Sequence, residues 1–257
     1  MLIVLSPAKT LDFESPIVPV SATRPAYAAD ARALVERLRA FAPHEIASLM
    51  DLSDSLAALN AGRYAAFRAA PRAAHVRPAV LAFDGDVYDG LAARTMDEEA
   101  LAFAQRHLRI LSGLYGVLRP LDAMQPHRLE MGTRLSTSRG RDLYEFWGDR
   151  PARALRRALR DAGGAVVVNL ASEEYFRAVD RGALGVPVVQ PVFQERRAGV
   201  WRVISFSAKR ARGMMARHAI GRRLTRPEDL QSFQEDGYRF DERASDDATW
   251  YFRREAP

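Results

Sequence analysis

The chain has 257 residues, of which 48% are hydrophobic and 27% charged, as in a soluble globular protein that buries a sizeable core. It has no cysteine, which excludes disulfides, thiolate metal sites and a thiol nucleophile. The net charge of +6 favours an anionic partner such as nucleic acid. No apolar run is long enough to predict a membrane span.

The first half of the chain alternates strand-like and helix-like segments. Leu2–Leu5 is a continuous apolar run, which is typical of a buried strand rather than of a signal peptide. The predicted elements are a strand over residues 2–5, helices over 29–41, 43–50 and 53–67, a strand over 79–83, and a helix from 95 to about 111.

The second half predicts further strands and a basic helix. The predicted elements are a long helix over 142–162, strands over 165–170, 186–193 and 200–206, a basic helix over 207–223, a short helix over 225–233, and a hairpin of 237–241 with 249–253. Because strands and helices do not alternate strictly, we expect an α+β protein. Residues 1–257 should form one compact domain on a mixed sheet, with the first strand central and helices around it.

Lysine is rare in this chain. Only two of its 38 lysine and arginine residues are lysines, Lys9 and Lys209. Both follow a predicted strand in a similar context, Ser6-Pro7-Ala8-Lys9-Thr10 and Ser207-Ala208-Lys209-Arg210. Lysine offers a compact ammonium on a flexible stem, which arginine does not. The two lysines are therefore predicted to serve a ligand site rather than a solvated surface.

Ser6 and Lys9 have the spacing of a Ser–Lys nucleophile pair. Nearby Pro16 and Pro19 leave room for only one short helical turn, and no partner motif of such enzymes is present. An anion-binding turn is favoured instead, in which backbone N–H groups, the Thr10 hydroxyl and the Lys9 ammonium hold a phosphate.

Polar side chains follow two further strands. Asp84-Gly85-Asp86 could bind Mg²⁺ or act as acid and base, or could form only a turn. Asn169 and Glu174 follow the predicted strand 165–170, where ligand sites of mixed sheets lie, although Asn169 could merely cap. In the segment from His127 to Gly132, Arg128 and Glu130 could pair to hold a loop.

Two glycines bracket a hydrophobic pair in Gly113-Leu114-Tyr115-Gly116, ahead of Arg119. This resembles the turn of a helix-hairpin-helix unit, whose backbone N–H groups face a duplex phosphate. The alternative is an apolar strand over 108–118 with glycines where another backbone approaches.

The basic helix carries the clearest polyanion signal. Lys209 and Arg212 are three residues apart and so share one helix face. The five histidines show no i,i+3 or i,i+4 pairs, so no metal site is expected, and no cofactor is predicted.

Six motifs together resemble the YaaA family of bacterial peroxide stress proteins, in the same order from residue 1 to about 241. They are Ser6-Pro-Ala-Lys9-Thr10, Phe83-x-Gly85-Asp86-Val-Tyr88, Leu111-Ser-Gly-Leu-Tyr115-Gly-Val-Leu-Arg119-Pro, Arg128-Leu-Glu130-Met-Gly132, Asn169-Leu-Ala-Ser172-x-Glu174-Tyr and Ala208-Lys209-x-Ala-Arg212-Gly213.

The resemblance implies a cytoplasmic protein, expected here as a monomer, that protects DNA from peroxide damage and limits free iron. It implies double-stranded DNA binding on an unusual α+β fold, with residues 113–116 as the hairpin. The implied or candidate contacts to DNA phosphates are Ser6, Lys9, Thr10, Gly113, Tyr115, Gly116, Arg119, Arg128, Lys209 and Arg212.

The leading hypothesis is therefore a DNA-binding protein of the peroxide response, which neutralises phosphates with arginine and two lysines. The alternative is an enzyme acting on a nucleotide, nucleobase or DNA lesion in the same basic cleft. Its candidate catalytic residues are Lys9, Asp86, Glu130, Asn169 and Glu174. An iron-sequestering protein is disfavoured, because cysteine and clustered histidine are absent.

Overall fold

A mixed sheet of eight strands runs through the protein, as seen in a computed structural model that describes residues 1–17 and 19–256. The strands of the protein are β1 (Leu2–Leu5), β2 (Thr10–Leu11), β3 (Arg77–Pro78), β4 (Phe83–Asp84), β5 (Leu108–Ser112), β6 (Gly116–Leu118), β7 (Ala123–Met124), β8 (Val167–Asn169), β9 (Val188–Arg197), β10 (Val200–Arg202), β11 (Arg239–Phe240) and β12 (Thr249–Glu255).

Helices cover both faces of this sheet. They are α1 (Ala28–Arg39), α2 (Pro43–Met50), α3 (Asp54–Ala66), α4 (Ala79–Ala82), α5 (Asp86–Leu91), α6 (Glu98–His107), α7 (Leu143–Trp147), α8 (Arg150–Asp161), α9 (Glu173–Phe176), α10 (Arg181–Leu184) and α11 (Ser205–Gly221). Short 3-10 helices span Ala73–His75, Ala93–Thr95, Pro227–Ser232, Glu235–Gly237 and Glu242–Ala244.

The first strand lies inside the sheet, as predicted. The strand order is β11-β12-β9-β8-β1-β5-β6, with β10 paired to β9. Strand β1 pairs in parallel with β5 on one side and β8 on the other. Its residues Leu2–Leu5 are fully buried, because helices cover both faces of a sheet at its parallel centre. The C-terminal hairpin is also confirmed, since β11 and β12 are antiparallel.

Two predicted elements are wrong in type or length. The sequence predicts a strand over residues 79–83, but the chain forms helix α4 there, followed by the two-residue strand β4. All four residues of α4 are buried, so no apolar periodicity separates helix from strand there. The predicted helix over 142–162 is two helices, α7 and α8, because the backbone turns at Gly148, whose φ is 53°.

The ends of two other elements also differ from those predicted. The helix expected from residue 95 begins after Asp97, whose carboxylate accepts a hydrogen bond from the Ala100 N–H at 2.8 Å. It ends at His107, and the apolar residues after it form strand β5. The strand expected over 200–206 stops at Arg202, and the longest helix, α11, begins at Ser205.

One cluster of buried apolar side chains joins the elements from β1 to β12. It includes the sheet residues and the inner faces of the covering helices, so the described residues form a single domain on one mixed sheet. Within residues 1–17 and 19–256, no helix is both long enough and apolar enough to cross a bilayer.

Candidate functional site

A cavity of about 540 Å³ opens where strands β1, β5 and β8 end. Ser6, Ser112 and Leu170, which directly follow or end these parallel strands, lie on its wall. Ligands of open α/β sheets bind at this edge, because neighbouring connections leave the sheet in opposite directions there. The polar and charged wall includes Ser6, Lys9, Thr10, Asp84, Asp86, Ser112, His127, Arg128, Glu130, Ser172, Glu174, Lys209 and Arg212.

Most of the predicted site residues thus converge, and the two lysines line one cavity. Lys9 comes from the segment after β1, and Lys209 from helix α11, 200 positions later in the chain. Asp86 from α5 and Glu174 from α9 complete the same wall. This convergence is the condition that an enzyme site in the basic cleft requires.

Ser6 links the segments that follow strands β1 and β8 through hydrogen bonds. Its Oγ accepts a hydrogen bond from the Ser172 N–H at 2.8 Å and donates to Ser172 Oγ at 3.3 Å. Its carbonyl oxygen accepts from the Tyr88 hydroxyl at 3.0 Å. These contacts occupy the hydroxyl, so the arrangement does not favour a Ser6–Lys9 nucleophile pair.

Glu130 is shared by two cations. Its Oε2 lies 2.8 Å from Lys9 Nζ, and its Oε1 lies 3.0 Å from Arg128 Nη2. The Lys9 side chain remains 66% exposed, whereas that of Arg128 is 16% exposed. Arg128 and Glu130 therefore fix the base of this wall, and Lys9 reaches from it towards solvent.

Helices α5 and α11 form the opposite wall and touch through glycines. A Cβ atom at Gly213 would lie 1.8 Å from the Val87 carbonyl oxygen, and one at Gly90 would lie 2.1 Å from the Arg210 carbonyl oxygen. Only glycine permits so close a backbone approach. This contact sets the separation of Asp86, at the start of α5, from Arg212 on α11.

The two cavity cations of α11, Lys209 and Arg212, have no partner among the described residues. No hydrogen bond or ion pair is made by the side chains of Lys209 and Arg212 to any residue of 1–17 or 19–256. Burial lowers the pKa of Arg212, since the charged guanidinium has lost part of its hydration. A desolvated cation without a counter-ion is costly unless a ligand supplies the negative charge.

His127 is a cavity residue that the sequence did not single out as functional. Its Nδ1 lies 2.8 Å from the Gln125 carbonyl oxygen, which can only accept, so Nδ1 carries the proton. Burial lowers the pKa of His127 to about 4, and the ring is neutral at pH 7. Its Nε2 is then a free acceptor with no partner among the described residues. Its place beside Arg128 in a recognised motif was the only sequence signal.

Asn169 and Glu174 play different roles in the structure. Asn169 is buried, and its Oδ1 accepts from the Ala171 N–H at 2.9 Å, so it caps the end of β8 and does not reach the cavity wall. Glu174 Oε1 accepts from the Gly132 N–H at 2.9 Å, which joins α9 to the segment after Glu130. Glu174 lines the cavity, whereas Asn169 stabilises the end of β8 next to it.

Residues 113–116 form a β-hairpin turn, not a helix-hairpin-helix turn. The segments on either side are strands β5 and β6, which confirms the strand alternative. Gly113, Tyr115 and Gly116 are buried, so none of them can face a duplex phosphate. A Cβ at Gly113 would lie 2.2 Å from the Leu129 carbonyl oxygen, so this glycine allows the turn to pack against the segment that carries Arg128.

Arg119 lies away from the cavity. Strand β6 runs antiparallel to β5 and carries the chain back towards the opposite edge of the sheet. There the Arg119 Nε lies 3.0 Å from Asp122 Oδ1, and its Nη2 donates to the Arg24 carbonyl oxygen at 3.0 Å. The expected convergence of Arg119 with the two lysines is therefore not found.

No group of three or more His, Asp or Glu side chains suited to a metal ion occurs in the part of the chain that the structure describes. The fold and the cavity define a mixed α/β protein with a charged cavity at the carboxyl edge of its central strands. The chain belongs to the family of the peroxide stress protein YaaA, whose family model matches residues 1–244. This confirms the resemblance seen in the sequence.

Curated relatives match over nearly the full length. A UPF0246 protein of Cupriavidus metallidurans is 55% identical over 257 residues, covering 99% of this chain and 98% of that protein. A UPF0246 protein of Azoarcus sp. is 55% identical over 258 residues, with 99% of each chain covered. A UPF0246 protein of Janthinobacterium sp. is 52% identical over 254 residues, covering 99% of this chain and 98% of that protein.

Proposed function

We propose that this member of the peroxide stress family is an enzyme that binds one nucleotide in the cavity, either free or as a unit of DNA. The observation that carries the proposal is the pair of unpartnered cations, Lys209 and Arg212, in the same cavity as the carboxylate of Asp86 and the neutral imidazole of His127. A surface that only neutralises phosphates needs cations alone.

The cations suit a phosphate group. Arg212 and Lys209 lie three residues apart on one face of α11, so both can reach one anion. Arginine binds phosphate through paired N–H groups, and lysine adds a mobile point charge. The volume of about 540 Å³ falls within the range of small-molecule sites, roughly 300–1,000 Å³.

The remaining polar groups suit acid–base work on the bound nucleotide. Asp86 makes no hydrogen bond or ion pair through its carboxylate within residues 1–17 and 19–256, and His127 offers an unprotonated Nε2. Such groups accept a proton from a substrate that lies within hydrogen-bond distance. Lys9 is less suited to a Schiff base, which needs a neutral amine, because its ammonium is paired with Glu130 at 2.8 Å.

Binding of double-stranded DNA is a second candidate function, and two adjoining grooves favour it. One, of about 470 Å³, is lined by Arg24, Arg32 and Arg68; the other, of about 310 Å³, by Arg63, Arg68 and His75. No acidic residue of the described chain lines either groove, although the cavity itself has four. Such grooves suit a phosphate backbone. We also propose, from the family resemblance, that the protein acts in the cytoplasm, protects DNA and limits free iron.

Nucleotide binding is tested by titrating fluorescent mononucleotides into the wild-type protein and into Arg212→Met, which keeps the apolar stem but removes the charge. We expect affinity to fall roughly 10- to 150-fold, as for loss of a charged hydrogen bond. The control is Arg222→Met, an exposed arginine just beyond α11. Equal affinities of the two variants would contradict the proposal.

Turnover is tested by mass spectrometry after incubation with nucleotides and with duplexes that carry oxidised bases. Asp86→Asn should abolish any product while it preserves binding, because the amide cannot take up a proton. DNA binding is tested separately by its salt dependence. Neutralised phosphates release counterions, so duplex affinity should fall steeply between 50 and 200 mM salt. An affinity independent of salt would argue against the second candidate.

A further inference from the structure

The large apolar side chains that remain exposed are concentrated beside the start of α11. Val200 and Val203 are each 51% exposed and Phe206 is 63% exposed, within seven residues of one another. Leu56 and Leu59 on α3 are the other two such side chains of the described residues. Isolated exposed apolar residues are ordinary, but three of these five side chains fall within one short segment, which makes that segment a candidate interaction surface.

This apolar patch, defined as Val200, Val203 and Phe206, has cations close to it in sequence. Arg202, Lys209 and Arg210 are exposed, and their side chains make no hydrogen bond or ion pair with any residue of 1–17 or 19–256. The occupant of the patch should therefore combine an apolar or aromatic surface with negative charge. Nucleic acid has both, in its stacked bases and its phosphates.

Phe206 lies one helical turn before a residue of the cavity wall. Phe206 precedes Lys209 by three residues on α11, so their Cβ atoms are about 5–6 Å apart. Lys209 itself lines the cavity. An exposed aromatic side chain thus lies within one helical turn of Lys209, which lines a space large enough for one nucleotide. A cavity of about 540 Å³ beside the patch suits one nucleotide unit and has no counterpart in a flat lipid surface, which favours DNA over a membrane.

We propose that Phe206 is a wedge that enters duplex DNA and fills the place of a base extruded into the cavity. This rests on the proposed function and extends it, because it makes the substrate a nucleotide within DNA. Extrusion leaves a gap in the base stack, and an apolar side chain inserted there offsets the lost stacking. Arg202, Lys209 and Arg210 would hold the phosphates on either side of the extruded nucleotide.

The test uses the full chain and two 24-base-pair duplexes, one fully paired and one with a central mismatch, each with 2-aminopurine beside the centre. The wild-type protein should prefer the mismatched duplex, because a mispaired base costs less to extrude, and should raise 2-aminopurine fluorescence. Phe206→Ala should lose roughly tenfold in affinity for that duplex and lose the fluorescence change. Phe206→Trp should retain both, and free mononucleotide affinity should be the same in all variants.

Leu59→Ala is the matched control, since Leu59 is 48% exposed on α3 and far from α11 in sequence. It should bind both duplexes like the wild type. The wedge is overturned if Phe206→Ala binds the mismatched duplex with wild-type affinity. It is also overturned if that substitution instead weakens binding to phosphatidylglycerol vesicles or dissociates a dimer in sedimentation. Failure of the proposed function would give a different result, because Arg212→Met would then bind every mononucleotide with wild-type affinity.

Discussion

The contact between α5 and α11 offers a sharp test of how the cavity is built. In the variant Gly213→Ala, the new Cβ would lie 1.8 Å from the Val87 carbonyl oxygen and 2.7 Å from the Leu91 N–H nitrogen. Ordinary contact begins at 3.4 Å, so the two helices must separate by about 1.6 Å. Both neighbours are backbone atoms, which cannot rotate away as a side chain does. Overpacking of this kind costs about 1–3 kcal/mol.

The control is Gly62→Ala in the middle of α3, where no atom lies within 4 Å of the added Cβ. It should increase the free energy of unfolding by about 1 kcal/mol, from helix propensity alone. Urea and thermal unfolding measure both. Because Gly213 also lies inside a helix, its alanine gains the same propensity contribution, so we expect the two variants to differ by about 1–3 kcal/mol, or roughly 2–12 °C in Tm.

Gly213→Ala should also weaken nucleotide binding, because Asp86 and Arg212 move apart with their helices. Gly62→Ala should leave it unchanged. If Gly213→Ala has the same free energy of unfolding as Gly62→Ala, glycine is not required at this helix contact. That result would also refute the explanation of how α5 and α11 position the cavity wall.

Two further predictions concern buried titratable groups. The pKa of His127 is about 4 in the folded chain and near 6.5 when unfolded. Between these pH values the unfolded state therefore binds more protons than the folded state. The free energy of unfolding should fall by about 3 kcal/mol as the pH drops from 6.5 to 4. His127→Asn, whose amide can still donate to Gln125, should flatten this decline in urea unfolding across that range. Glu195 is 1% exposed and bonds Arg254 Nη2 at 2.7 Å, while Asp236 Oδ2 lies 2.5 Å from Arg254 Nη1. Glu195→Gln removes one of the two counter-charges of this guanidinium and weakens a buried charged hydrogen bond, so it should cost about 1.5–3 kcal/mol.

Each of these has a contrasting result. If the free energy of unfolding of His127→Asn falls with pH as in the wild type, groups other than His127 cause the loss of stability between about pH 6.5 and 4. For Glu195, burial alone would raise the pKa, but hydrogen bonds from Ser207, Arg254 and Arg197 lower it to about 2. Its stabilisation should thus persist above pH 4.5 and vanish towards pH 2. Glu255, whose side chain is 72% exposed, pairs with Arg196, so Glu255→Gln should cost less than about 1 kcal/mol. An equal cost in Glu195→Gln and Glu255→Gln would contradict the argument from burial.

The meeting of Lys9 with Glu174 could be anticipated from the sequence. Both follow strongly apolar strands, and parallel strands bring their carboxyl ends to one edge. Lys209 was recognised by its scarcity and its local context. The prediction succeeded where a residue's position depends on its own strand or helix.

Other features depend on contacts between segments distant in sequence. Residues 113–116 fit a helix hairpin or a strand turn equally well, and only the pairing of β5 with β6 decides. The same pairing carries Arg119 to the far edge, which no local pattern reveals. The proton on His127 Nδ1 follows from its contact with the Gln125 carbonyl oxygen. Its lowered pKa follows from burial, with the rings of Phe83 and Tyr115 lying 6.5 and 5.2 Å away.

The place of β1 in the sheet sets the order in which the chain can assemble. Ile3 pairs with Leu108 on one side, and Leu2 pairs with Val167 on the other. At synthesis rates of about 5–20 residues per second, the first partner strand emerges roughly 5–20 s after β1. During that time the apolar run Leu2–Leu5 has no sheet neighbour. Contacts of such long sequence separation slow folding, so the nascent chain carries an aggregation-prone strand until β5 is made.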